Sequence, residues 1–411
     1  MPAKKALGLT SMTAALVMGL AACSGGGSGD GGSDVEPLQF GYILPETGPL
    51  AYLGPPQIAG AKFAIQEINE AGGVLGAELP DILSGDEAGD GAIAADAADR
   101  LLNQNVHAIL GAASSGMTMS FIDRVTQAEV VQCSGANTAP TLSDYDDGGY
   151  FWRTAPSDLL TGPVLANEIV ADGASSVAVI YRADDYGQGL AEATATALEE
   201  AGAEVVAQES YEPQATNFSS IVQSVSGEEP DAIALISFDE GVQLITNFVE
   251  NGFGADQMYS ADGMANSELG SMVDTGDPGI IDGFKGATPG VDNQAFNEKL
   301  AEMDSSLKDY VYGPQIYDCA MVVALAAEAA ESTDPAVFVE QMAAVTTGET
   351  SCSTFAECRD ILADGGTIDF QGQSGPLDFD ENGDITVASY QIYGFEDGGE
   401  FKALSYTEAG A

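Results

Sequence analysis

The chain predicts an α/β fold made of two doubly wound lobes joined by a three-segment hinge. Three observations carry that reading. Short apolar runs alternate with longer amphipathic segments along most of the 411 residues, the pattern of a parallel sheet covered by helices. The pattern restarts after Asp158, giving two α/β units of ordinary domain size. Finally, a late helical stretch and a β-like ending are too few for a further domain, so the chain must cross back.

In order along the chain, residues 38–44 read as a strand and 58–71 as a helix stopped by Gly72-Gly73. Residues 107–110 form a strand, 117–128 a helix and 130–133 a strand. In the second unit, helices are expected over 159–171, 189–201, 218–225 and 242–251. They alternate with strands at 177–181, 204–208, 232–236, 258–259 and 283–288. Residues 293–331 return to helical periodicity, and 377–393 alternate as β residues around Asn382-Gly383, a hairpin signal. The economical division gives one lobe residues 35–153 and 286–373 and the other 154–285 and 374–405. Two lobes on a hinge enclose a cleft.

The first 23 residues read as an export signal. Lys4 and Lys5 precede a small apolar run that is too short to span a membrane. The closing Leu20-Ala21-Ala22-Cys23 resembles a bacterial lipobox, which implies lipidation of Cys23. Residues 24–34, rich in Gly and Ser, have the composition of a tether. The expected location is the outer face of the cytoplasmic membrane, held there by the lipid alone. In that oxidising setting Cys352 and Cys358, close in sequence, are expected to pair, whereas Cys133 and Cys319 lie in apolar contexts and read as buried free thiols.

Charge and composition remove several functions. Twelve basic residues against 64 acidic ones give a net charge of −52, a field that repels nucleic acid. The single histidine, His107, begins a buried strand-like run, and no nucleophile elbow, phosphate loop or zinc-protease helix is present. Asp184-Asp185 reads as a solvated loop pair rather than a glycosidase dyad. Residues 378–389 match the first part of a calcium loop, but Ser389 stands where the bidentate Glu is needed, so a plain hairpin is the preferred reading. The chain is expected to be no enzyme and to carry no cofactor or metal.

Two polar turns remain. Gly111-Ala112-Ala113-Ser114-Ser115-Gly116 follows a strand and opens a helix, which suits either an anion or an ordinary capped turn. Ala136-Asn137-Thr138-Ala139-Pro140 follows the next strand. Ligands of doubly wound sheets gather at the carboxyl ends of strands, where these two turns are neighbours.

At this point an ordered set of motifs resembles the solute-binding lipoproteins of branched-chain amino-acid ABC importers, with the periplasmic binding protein type 1 fold. The set runs from Thr47-Gly48-Pro49-Leu50-Ala51 and Asn69-Glu70-Ala71-Gly72-Gly73 through Arg153-Thr154-Ala155-Pro156-Ser157-Asp158. It continues with Asp185-Tyr186-Gly187-Gln188-Gly189, Tyr317-Asp318 and Ser374-Gly375-Pro376-Leu377-Asp378-Phe379. The resemblance implies that Ser115, Thr138 and the Ala136 backbone hold the main-chain groups of an amino acid, chiefly its carboxylate. It implies that Asp262 meets the ammonium and that Tyr186 approaches from the second lobe. Leu53 and Phe238 stand where tyrosines line the cleft of the best-known relative, and Tyr312 stands where it has Phe.

From the residues alone Asp262-Gly263 also fits a turn, and Tyr186 ordinary packing. The resemblance further implies delivery to an ABC permease with its ATPase subunits. The alternatives are the same fold taking an amide, urea or an aromatic acid, or serving as a ligand sensor.

Overall fold

The computed structural model describes residues 36–410; the expected signal, Cys23 and the tether lie outside the described residues. The first half is built on a four-stranded parallel sheet. Its strands are β1 (Phe40–Ile43), β2 (Ala108–Gly111), β3 (Val131–Ser134) and β4 (Phe151–Arg153), in that order. All of their residues are buried, so these strands read as continuous apolar runs rather than alternations.

The second half is built on β5 (Ser176–Arg182), β6 (Glu204–Tyr211), β7 (Ala232–Ile236), β8 (Met258–Ser260) and β9 (Lys285–Pro289). A small parallel pair, β10 (Thr350–Cys352) and β11 (Ile368–Phe370), intervenes before β12 (Val387–Glu396) and β13 (Glu400–Gly410) return to that sheet. Its order is β13-β12-β9-β8-β7-β5-β6, with β12 antiparallel to both neighbours.

By sheet membership the chain changes halves after β4, after β9 and before β12. β9 keeps it on the second sheet through Pro289, past the expected return at 286. The helix Gly313–Ala329 then packs back on the first sheet. Gly313 through Ala327 are all buried, as expected of a helix that is apolar all round. It crosses the helix Gly54–Glu70 at backbone distance: a Cβ on Gly60 would stand 2.3 Å from the Gly313 carbonyl oxygen.

Three expectations need correction. Residues 117–128 are two short helices, Ser115–Met119 and Ile122–Thr126, because the chain breaks at Ser120 and Phe121, where Phe121 leaves the helical backbone region and is buried. The turn at Asn382-Gly383 exists but closes only one antiparallel bridge, Phe379 to Ile385. The true hairpin is β12–β13, around Asp397-Gly398-Gly399, where all three residues have positive φ. Cys133 and Cys319 are not free thiols: they form a disulfide between β3 and the helix Gly313–Ala329 across 186 residues. Apolar surroundings described both correctly, but pairing depends on which elements pack together, and a local reading does not see that. The expected disulfide Cys352–Cys358 is present.

The crossing segments are tied by buried polar groups. Arg153 at the end of β4 grips Asp384 through two hydrogen bonds, Nε to Oδ1 at 2.5 Å and Nη2 to Oδ2 at 2.7 Å. The same guanidinium donates to the Ala139 carbonyl at 2.9 Å and the Ser143 hydroxyl at 2.8 Å. Thr154 donates to the Gln315 carbonyl at 2.7 Å. Asp318 accepts the Gln373 and Ser374 N–H groups, each at 2.8 Å, and the Ser374 hydroxyl.

Candidate functional site

The two polar turns do meet at the carboxyl ends of β2 and β3. The helix that Ser115 opens is a single turn and a half, and the N–H groups just before it are already engaged. Glu87 is fully buried and accepts from Ala113 N–H at 2.8 Å and from Ser114 N–H at 3.3 Å. Burial pushes its carboxyl up to about 8, against those two hydrogen bonds. An internal carboxyl therefore fills the anion position that the turn itself offered. What the turn presents beyond it is Ser115, whose Oγ accepts from Thr138 and Ala139 N–H at 3.3 and 3.2 Å and keeps its own hydrogen to donate.

On the facing side, Asp262 follows β8 and is 5% exposed. Tyr186 donates to its Oδ1 at 3.0 Å and Tyr312 to its Oδ2 at 2.8 Å, while Tyr52, from the first half, donates to its carbonyl at 2.8 Å. Each carboxylate oxygen keeps acceptor capacity beyond one phenol. Burial raises the Asp262 carboxyl above its ordinary value, and the two phenol hydrogen bonds work against that rise. Gly263 allows the approach: a Cβ there would stand 2.5 Å from the Ser237 carbonyl oxygen and 3.0 Å from the Tyr186 hydroxyl.

Tyr186 is placed by the start of the helix Asp185–Glu200, which Asp184 caps by accepting from Gly187 N–H at 2.9 Å. Its ring stacks on Phe238 with centroids 5.2 Å apart, and the Arg182 guanidinium sits 3.6 Å from the Phe238 centroid. Arg182 is in turn held by Asp184 and Glu240, each at 2.6 Å. Asp184 thus both caps a helix and anchors an arginine, which is structural work, and Asp185 is the first residue of that helix.

Leu53, Ser115, Ala136, Tyr186, Phe238, Asp262 and Tyr312 line one small cavity between the halves. Its volume is about 10 Å³, room for a single water, so these side chains stand nearly closed on one another. Thr138 does not line it: the residue is 1% exposed and its hydroxyl has no hydrogen-bond partner. Larger open hollows of about 540 and 510 Å³ lie elsewhere, against the helix Asp185–Glu200 and beside Pro289 and Tyr310. The small cavity is nonetheless where hydroxyl donors, a buried acid and stacked aromatics converge, and convergent polar groups in an apolar wall are what a small dipolar molecule needs.

Sequence reasoning missed Glu87, Tyr52 and Arg182, whose roles depend on contacts far along the chain. The remaining singled-out residues are structural. The His107 Nδ1 accepts from Gln39 N–H at 2.9 Å, and burial lowers its pKa. In the calcium-like loop, Asp384 is committed to Arg153 and Asp380 accepts the N–H groups of Asn382 and Asp384. Among the described residues no group of three or more His, Cys, Asp or Glu could hold a metal ion, and no helix is long and apolar enough to cross a membrane.

Comparison with known proteins agrees with this fold. The sequence pattern of a family described as periplasmic binding protein matches residues 37–379. A Leu/Ile/Val-binding protein homolog of Brucella abortus is 27% identical over 375 residues, covering 90% of this chain and 94% of its own. A leucine-, isoleucine-, valine-, threonine- and alanine-binding protein of Pseudomonas aeruginosa is 25% identical, covering 87% and 90%. Among solved structures, a leucine-binding protein of Thermotoga maritima superimposes with a TM-score of 0.75 at 22% identity, over 90% of this chain and 98% of that one. A solute-binding protein of Rhodopseudomonas palustris in complex with benzoate reaches 0.72 at 15% identity, over 92% and 98%.

Proposed function

The chain belongs to the periplasmic binding protein family, and from that premise we propose that it captures a small aliphatic amino acid in the cleft and delivers it to an ABC permease. In this reading Ser115 and the Ala136 backbone take the carboxylate, and Thr138, outside the cavity lining, supports Ser115 through its N–H. Asp262 takes the ammonium, and Leu53, Tyr186, Phe238 and Tyr312 form the wall around the side chain. The observation that carries it is the convergence on one cavity of a hydroxyl with a free hydrogen and a buried acid with spare acceptor capacity. A zwitterion satisfies both poles at once, whereas a buried charge left unpaired costs several kcal/mol, on the order of 3–5.

Because only the closed form touches the ligand from both halves, binding shifts the equilibrium between open and closed forms, and the permease reads the closed one. Lobe boundaries near residues 153, 289 and 374 would be the moving joints, and lipidation at Cys23 would hold the protein at the outer membrane face. The chain's own part is capture and release; ATP hydrolysis belongs to the transporter.

A second reading, an aromatic acid, draws on the stacked Tyr186–Phe238 pair and on the benzoate-bound structural neighbour. Thermal denaturation of the purified protein with each of the twenty amino acids, short amides and benzoates separates the two. A ligand at 100 times its dissociation constant stabilises by about 2.7 kcal/mol. A shift with aliphatic amino acids supports the first reading; a shift with benzoates and none with amino acids refutes it.

A further inference from the structure

Arg182 ends β5 beside the cleft without lining its cavity. It is buried, and its guanidinium lies 3.6 Å from the centroid of the Phe238 ring, which does line the cavity. Two acids hold it there: Asp184 accepts from Nε and Glu240 from Nη1, each at 2.6 Å. A guanidinium is planar and weakly hydrated, so it stacks on a ring and forks to two carboxylates at once, which an ammonium cannot do.

Both acids also reach the cavity wall. Asp184 caps the helix Asp185–Glu200, so the group that fixes Arg182 fixes the backbone that projects Tyr186. Glu240 Oε1 accepts from the Tyr211 hydroxyl at 3.1 Å and from the Phe238 N–H at 3.5 Å as well as from Arg182. Tyr186 and Phe238 stack with centroids 5.2 Å apart. At Gly263 the fit is tight against both, because a Cβ there would stand 2.9 Å from Phe238 Cδ1 and 3.0 Å from the Tyr186 hydroxyl. Packed interiors yield only where a neighbour gives way, and the guanidinium is the neighbour that covers the Phe238 face.

Resting on the amino-acid reading above, we propose that Arg182 is a positioning residue that sets the size of side chain the cleft accepts. It touches no ligand itself. It holds Phe238 by the ring face and Tyr186 through the Asp184 cap, and so keeps the wall closed around a small cavity. An aliphatic side chain fits inside that wall. A benzyl side chain needs the Phe238 ring to swing outward, into the place the guanidinium occupies.

The test is isothermal titration calorimetry of the purified wild type, Arg182→Lys and Glu240→Gln with L-alanine, L-leucine and L-phenylalanine. The quantity read is the phenylalanine affinity divided by that of the tighter of the other two. A mere loss of folded protein does not move this ratio, since all three ligands meet the same sample. Arg182→Lys keeps a positive charge for Asp184 and Glu240 but loses the planar face, and should shift the ratio toward phenylalanine at least tenfold. Glu240→Gln loosens one anchor of two and should shift it about threefold in the same direction. An Arg182→Lys ratio within twofold of wild type, no phenylalanine heat from that variant, or a wild type that takes phenylalanine as tightly as leucine overturns the inference and leaves the amino-acid reading standing. Should Arg182→Lys fail to fold, an unchanged ratio in Glu240→Gln overturns it instead. A wild type that binds none of the three overturns both.

Discussion

The hinge and the cleft are built from the same kinds of residue and treat them oppositely. At the hinge two buried side chains are fully engaged: Arg153 meets Asp384 through two hydrogen bonds, and Asp318 accepts three from Gln373 and Ser374. In the cleft Asp262 is buried as well, and it is met by phenols that leave it capacity. The contrast separates two uses of polar burial. Saturated groups fix where the halves join, and unsaturated ones wait for a molecule that brings the missing charge.

Hinge variants should therefore lower stability, and cleft variants affinity. The largest effect is expected from Arg153→Ala, which strands the Asp384 carboxylate and should cost about 3–5 kcal/mol in urea unfolding. Replacing Cys133 and Cys319 together by Ser should cost about 2–5 kcal/mol on the same measurement, since their bridge closes a long loop beside Thr154. In the cleft the sign reverses. Asp262→Ala is expected to weaken amino-acid binding by roughly a hundredfold while raising the melting temperature of the ligand-free protein, because it removes a buried acid that folding disfavours. Equal loss of stability and affinity in that variant would break the contrast.

The same asymmetry predicts a pH dependence. Burial raises Glu87 to about 8 and Asp318 to about 7, and raises Asp158 and Asp262 as well. A carboxyl with a higher pKa folded than unfolded binds more protons in the native state. Its stabilising effect is therefore complete below the unfolded value and is lost as pH rises through the folded one. Ligand-free stability should fall between about pH 4 and pH 8, and saturating amino acid should remove the share due to Asp262. Denaturant midpoints at a series of pH values with and without ligand check this. The smallest effect is expected from Tyr312→Phe, which takes one hydrogen bond from the Asp262 carboxylate and should weaken binding about tenfold by calorimetry.

Much of the architecture was legible because it is written locally. β5, β7 and the helix Asp158–Ala171 follow from periodicity and caps within a dozen residues, and the crossing back followed from segments left over. The cleft residues came as a set through motif resemblance, and all but Thr138 line one cavity. What escaped is what only packing creates. The Cys133–Cys319 bridge needs β3 laid against a helix 186 positions later, and the hairpin sits at Asp397-Gly398-Gly399 although Asn382-Gly383 carries the stronger local signal. Glu87 and Asp158 look like any other acids in a chain with 64 of them; only their burial distinguishes them.

A crystal structure grown with the amino acid that gives the largest thermal shift tests the account most directly. It should show the ligand between the halves, its carboxylate on Ser115 and the Ala136–Thr138 turn and its nitrogen within 3.2 Å of Asp262. A ligand seated in another hollow, or one turned so that its carboxylate faces Asp262, would contradict it.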